Sequence, residues 1–169
     1  MPLKRVARIT EVRTALTAFA FLGLGAFGCA VPATVRTGSG TGSGSGGHEV
    51  LDKAREMIGR KVIVVGGCWD YINAVYDRTG YPENKRSSVF KTERSGPYAD
   101  LDLLEPGDWI YFVNHSYGDM EHSGIFVNWT NKITRRARMI SYAGENRREP
   151  ARYMTYDLRS VYSIMRPGR

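Results

Sequence analysis

Apolar positions recur at helical spacing from residue 48 onward. In "HEVLDKAREMIG", residues 48–59, Val50, Leu51, Ala54, Met57 and Ile58 share one face, and Gly59 supplies the stop. The β-branched run "KVIVV" then leads into Gly66 and Gly67. A second helix is predicted to begin at or just before Cys68, because Cys68, Tyr71, Ile72, Val75 and Tyr76 fall at i, i+3, i+4, i+7 and i+8 and make one inward stripe. Gly80 and Pro82 end it. Residues 82–100 are polar, contain Gly96 and Pro97, and read as a long loop.

Beyond that loop the period changes to two. "LLEPGDWIYFV" joins a Pro-Gly turn to an alternating strand from Asp108 to Asn114, and "HSGIFVNW" gives a second from His122 to Trp129. A third strand is predicted around Arg138 to Ala143, and a last one, "SVYSIMRP", from Ser160 to Pro167. Helices first and an antiparallel meander after them predict an α+β fold, with N-terminal helices packed on a small antiparallel sheet.

The first 47 residues follow a different pattern. Residues 1–33 show a basic start, the apolar stretch from Ala15 to Gly28 and then small residues, the three parts of an export signal peptide. That stretch is shorter than the roughly 20 residues a membrane-spanning helix needs. Its end, "AFGC", resembles the lipobox of bacterial lipoproteins, which makes Cys29 the expected lipidation site; cleavage near "CAVPA" is the alternative. Residues 34–47, including "TGSGTGSGSGG", read as a flexible Gly/Ser tether that buries nothing. The expected organisation is therefore leader 1–33, linker 34–47 and domain 48–169. It predicts an exported cell-envelope lipoprotein, membrane-anchored through Cys29 and facing the periplasm or the cell exterior.

Charge changes little in this picture. The chain carries +7, but Lys4, Arg5, Arg8, Arg13 and Arg36 precede the domain, which from His48 onward has 19 basic against 16 acidic residues. No nucleic-acid partner is expected. Lys132, Arg135, Arg136 and Arg138, followed by Arg147 and Arg148, suit either an anionic polymer or lipid surface, or simply a solvated hairpin.

The reactive candidates are few. A disulfide between Cys29 and Cys68 would tie the leader to the domain, so the two cysteines are read as independent. Cys68 lies at a predicted helix N-terminus, where free N–H groups and the positive dipole end favour a thiolate. Of the three histidines, His48 sits at the tether junction, His115 in the polar segment "NHSYGDMEH", and His122 opens a strand. Gly124, two residues on, leaves room for a helix end, so His122 is the expected partner of Cys68. Trp69, Tyr71 and Trp109 are candidates to line a substrate groove, although Tyr71 and Trp109 also occupy core positions of the pattern. No cofactor or metal is expected. A metal site needs three or four ligands at close spacing, and Gly66-Gly67 lacks the Lys-Ser/Thr ending of a phosphate loop.

"VLDKAREMIGRKVIVVGGCWDYINAVYDRTG", "LLEPGDWIYF", "HSGIFVNW" and "VYSIMRP" resemble, in order and spacing, the NlpC-type cell-wall peptidases and the related cysteine, histidine-dependent amidohydrolase/peptidase (CHAP) group. The resemblance spans roughly residues 49–167. It implies a papain-like fold, Cys68 as nucleophile, His122 as base, and peptidoglycan as substrate, cut in the stem peptide or at the sugar–peptide amide. Many NlpC-type members carry Asp-Cys-Ser at the nucleophile. Gly67-Cys68-Trp69 is nearer to the Cys-x-Trp/Tyr of the CHAP side, which leaves the cleaved bond open.

NlpC-type members often place a histidine on the following strand as third residue, and Ser141 occupies that position here. "AGEN" resembles the Gly-x-Asn segment of CHAP-like members, which implies Asn146 as the third catalytic residue, with Ser141 and Glu145 as the alternatives. Two other functions stay open at this point. One is a non-catalytic envelope lipoprotein that binds wall or protein, and the other is a hydrolase or acyltransferase acting on lipid or protein.

Overall fold

The computed structural model describes residues 45–168, so the predicted leader, Cys29 and the tether up to residue 44 lie outside the described residues. Two helices, α1 (Ser45–Gly59) and α2 (Cys68–Arg78), precede six strands. These are β1 (Arg86–Lys91), β2 (Trp109–Asn114), β3 (Met120–Asn131), β4 (Arg136–Ser141), β5 (Arg152–Asp157) and β6 (Val161–Pro167). The strands form one antiparallel sheet in the order β1-β6-β2-β3-β4-β5. The fold is thus α+β. The observed meander is β2 to β5; the first three predicted strands are β2, β3 and β4, whereas the predicted last strand, β6, returns to lie between β1 and β2.

Two strands differ from the sequence reading, and they are the two edges of the sheet. β1 lies inside the predicted loop 82–100, and β5 was not anticipated. An edge strand pairs on one side only, and "RSSVFK" and "RYMTYD" contain no fully buried residue. With little to bury, neither carries a clear alternation. β1 is instead anchored by Arg86, whose guanidinium donates to Tyr81 O at 2.8 Å, Asn73 Oδ1 at 2.8 Å and Asp77 Oδ1 at 2.6 Å.

The start of the domain also differs. α1 begins at Ser45, so the last residues of the predicted tether are helical. Glycine is required there for contact rather than for flexibility. A Cβ on Gly46 would come within 2.8 Å of the Tyr81 hydroxyl, and one on Gly47 would strike the Pro106 carbonyl. Gly107, at φ +94°, approaches Gly47 backbone to backbone. Two chain segments meet where neither has a side chain.

The sheet buries apolar residues on both faces, as its alternation requires. α1 and α2 cover the face bearing Trp109, Ile125 and Ile140. On the other face Ile110, Phe112, Phe126 and Met139 pack against Leu101, Leu104 and Leu158. Tyr71, Ile72, Val75 and Tyr76 of α2 are fully buried, each contributing on the order of 2 kcal/mol. Beneath the turn before β2, buried Asp108 accepts from Arg166 Nε and Nη2, both at 2.8 Å, and from the Glu105 N–H at 2.8 Å. Burial pushes the Asp108 carboxyl up, and the bidentate guanidinium opposes that shift. The pair ties the "PGDW" turn to the last strand.

Candidate active site

Glycines set the position of Cys68. Gly66 sits at φ +109°, and a Cβ there would collide with the Asp70 carboxylate. That carboxylate accepts the Gly67 N–H at 2.7 Å and caps the first turn of α2. The helix therefore starts at Cys68, and the cysteine N–H lies among the first-turn donors without an intrahelical acceptor. Cys68 is part-buried and has a free thiol.

Across from it, His122 pairs with Phe112 in the β2–β3 register. Its ring packs against Phe112 at 5.6 Å and Tyr156 at 5.3 Å between centroids. Burial pushes the Cys68 thiol up, but hydrogen bonds from His122 and Ser123 and the imidazole charge outweigh it, bringing the pKa down from 9.0 to about 7. The other face of the imidazole is also engaged: His122 Nε2 lies 2.9 Å from Ser141 Oγ, which lies 2.8 Å from the Tyr156 hydroxyl. With Nε2 on Ser141, Nδ1 is the nitrogen left for the thiol.

The structure thus brings together Cys68, His122 and Ser141, but not Asn146. β4 ends at Ser141, whose side chain meets His122; the chain then turns away, and Asn146 is exposed in a short 3₁₀ turn, Glu145–Arg147. The "AGEN" segment contributes backbone instead. The Glu145 N–H donates to Gly66 O at 2.9 Å, and Gly144, at φ +96°, packs on the Gly66-Gly67 turn. Gly124 also acts differently from the expectation. A Cβ there would meet Met139 Cε at 2.5 Å and Ile140 O at 3.0 Å, so the glycine admits β4 rather than a helix end.

The three aromatic candidates separate. Tyr71 is fully buried and stacks on Tyr142 at 4.8 Å, so it lines no groove. Trp109 is also buried, between Trp69 at 5.7 Å and Tyr76 at 5.6 Å, but forms the floor of a cleft of about 440 Å³. Trp69, half exposed, stands at its rim beside Tyr111. Cys68, His122, Ser141 and Tyr156 line a larger cleft of about 660 Å³, with Tyr117 and Arg147 on its walls. Glu121 lines both clefts, Cys68 the larger and Trp69, its neighbour in sequence, the smaller.

A second histidine cluster lies in the turn of the β2–β3 hairpin. His115 Nδ1 is 2.6 Å from Asp119 Oδ1, and its Nε2 is 2.6 Å from Ser160 Oγ. Ser160 is buried, and neither it nor His115 lines either cleft. His48 is exposed on α1.

No protein-family model matches the chain, and neither does any curated protein. Among solved structures it is similar to one endolysin. That structure, of the wild-type endolysin LysIME-EF1, shares 15% identity with this chain at a TM-score of 0.44, over 72% of this chain and 63% of the endolysin. The chain spans less than two thirds of the endolysin's length.

Sequence reasoning missed Tyr156. It belongs to an edge strand with no clear pattern, so nothing in the sequence placed its hydroxyl near β4. Ser141 was legible as the residue at the matching strand position.

Proposed function

We propose that this protein is a cysteine hydrolase of the cell wall, cutting an amide bond in peptidoglycan. One observation carries the reading: a part-buried thiol at a helix start, opening onto a cleft that His122 also lines, with the imidazole holding the thiol pKa down to about 7. In this reading His122 Nδ1 takes the thiol proton, and Cys68 Sγ attacks the amide carbonyl carbon. The Cys68 N–H, free at the first turn of α2, is one donor to the oxyanion. His122 then gives its proton to the departing amine, leaving a thioester. Water, deprotonated by the same imidazole, attacks the thioester, releases a carboxylate and restores the thiol.

The substrate class is supported by the likeness of residues 49–167 to NlpC-type and CHAP enzymes and by the export leader. We take the protein to be exported and lipid-anchored through Cys29 in the cell envelope. No cofactor enters the mechanism. Trp69 and the cleft floored by Trp109 suit the opposite side of the scissile bond from the Tyr156 cleft.

The test is digestion of isolated sacculi by the full-length protein, with mass spectrometry of the soluble products. Defined muropeptides are expected from the wild type and none from Cys68→Ala. Equal release by that variant overturns the reading. Labelling of the precursor with a radioactive fatty acid, lost in Cys29→Ala, tests the anchor.

A further inference from the structure

We propose that Tyr156 couples substrate binding to the protonation pattern of His122, so that a carboxylate seated in the Cys68 cleft fixes the imidazole as the base. This rests on the thiol–imidazole reading above. It goes further by assigning a role to a tyrosine two hydrogen bonds from the reacting atoms.

The argument follows the direction of each hydrogen bond. For Nδ1 to accept the thiol proton, Nε2 must carry the ring hydrogen; after transfer both nitrogens do. In either condition Nε2–H donates to Ser141 Oγ. Ser141 has a single hydroxyl proton, and its other neighbour is the Tyr156 oxygen at 2.8 Å. That proton therefore goes to Tyr156. Tyr156 keeps its own O–H, with no other hydrogen bond among the described residues, on the wall of the 660 Å³ cleft.

The opposite order uses the same atoms. Tyr156 donates to Ser141, Ser141 donates to Nε2, and the ring hydrogen moves to Nδ1, where it faces the sulfur and blocks proton transfer. Ring packing against Phe112 and Tyr156 holds the imidazole plane, which leaves the proton order as the variable. The two orders differ in which end holds the spare donor. An acceptor in the cleft, bonded to the Tyr156 O–H, selects the productive one. A carboxylate does this most strongly, because a charged acceptor makes the stronger hydrogen bond. Arg147, exposed on the same cleft and without an ion pair among the described residues, attracts the same group.

The experiment uses full-length protein labelled with ¹⁵N-histidine, N-acetylglycine as carboxylate probe and N-acetylglycinamide as its neutral control, at matched ionic strength. Two quantities are read near neutral pH: the rate of Cys68 alkylation by iodoacetamide, and the His122 ring-nitrogen signals. In the wild type, N-acetylglycine is expected to speed alkylation by about fivefold to tenfold, the worth of one hydrogen bond, and to shift His122 toward the Nε2–H form. The amide should do less. Tyr156→Phe keeps the ring but removes the oxygen, which leaves Nε2 as the side-chain acceptor for Ser141 among the described residues. It should show Nδ1–H signals, slower alkylation and no response to the probe.

Wild-type signals and wild-type alkylation in a folded Tyr156→Phe overturn the proposal. If that variant does not fold, Ser141→Ala decides, since it breaks the chain in the middle and should also lose the response; a retained response overturns the coupling. Neither readout needs peptidoglycan. A wild type that answers the probe but leaves sacculi intact refutes the substrate reading alone, and Tyr156→Phe that cuts sacculi at the wild-type rate refutes the coupling alone.

Discussion

Two histidines stand near the turn of one hairpin, His115 in the turn itself and His122 at the start of β3, and each is held between two polar neighbours. His122 lies between a cysteine and Ser141; His115 lies between Asp119 and Ser160, at 2.6 Å from each. By hydrogen bonds alone, Ser160, His115 and Asp119 are the more complete set, having the hydroxyl, imidazole and carboxylate of a serine hydrolase. What they lack is everything around the nucleophile. Ser160 is buried after β5, with no helix start beneath it and no cleft above it. Cys68 has both. The comparison teaches that a nucleophile's backbone and its opening to solvent separate a candidate site from a structural hydrogen bond.

Removing each imidazole should break the symmetry most visibly. His122→Ala is expected to lower amide hydrolysis by about 10²–10⁴-fold. It should also move the rise of Cys68 alkylation upward in pH. In the wild type the thiol is protonated and slow below about pH 7 and becomes thiolate as pH rises through that value. Without the imidazole the lowering interaction is gone while burial remains. His115→Ala should leave the alkylation profile where it is.

The helix start can be attacked next. Gly66→Ala forces a Cβ onto the Asp70 carboxylate at a positive φ, costing about 1–3 kcal/mol. Chemical denaturation should register that loss, with alkylation slowed because the cysteine no longer sits at the helix start. A sharper version moves the nucleophile. Ser160→Cys in a Cys68→Ala background gives His115 and Asp119 a thiol, and iodoacetamide is expected to label it slowly, with no muropeptide release. Fast labelling there would refute the lesson drawn from the comparison.

The smallest effects concern structural roles. Ser160→Ala should cost about 1 kcal/mol of unfolding free energy and leave the thiol profile unchanged. Asn146→Ala, at an exposed turn, should stay within about 0.5 kcal/mol and hold the pH dependence of alkylation constant. A shift in that profile would return Asn146 to the site.

The sequence made the central elements legible and the edges illegible. Tyr71, Ile72, Val75 and Tyr76 are spaced to be buried and are buried, because a helix packed on a sheet has only one inward face. β2 and β3 are legible because both of their faces meet apolar neighbours or the cleft, which fills their centres with apolar residues. β1 and β5 are defined by pairing to β6 and β4, a relation between distant residues that no local pattern records. The site divides in the same way. Cys68 and His122 sit on strongly patterned elements, so the sequence could place each of them, and they line one cleft. The imidazole's outer partners could not, since Ser141 at the end of β4 meets Tyr156 only through the edge strand.

The bare contact between Gly47 and Gly107 sets where the domain can be cut. A truncation beginning at His48, the boundary the composition suggests, would remove the residues that let α1 lie against the Pro106–Gly107 corner. That corner also accepts the Tyr76 hydroxyl at 2.7 Å through Gly107 O, and Tyr76 is on the helix that begins with Cys68. Cloning boundaries and fusion partners therefore belong upstream of Ser45.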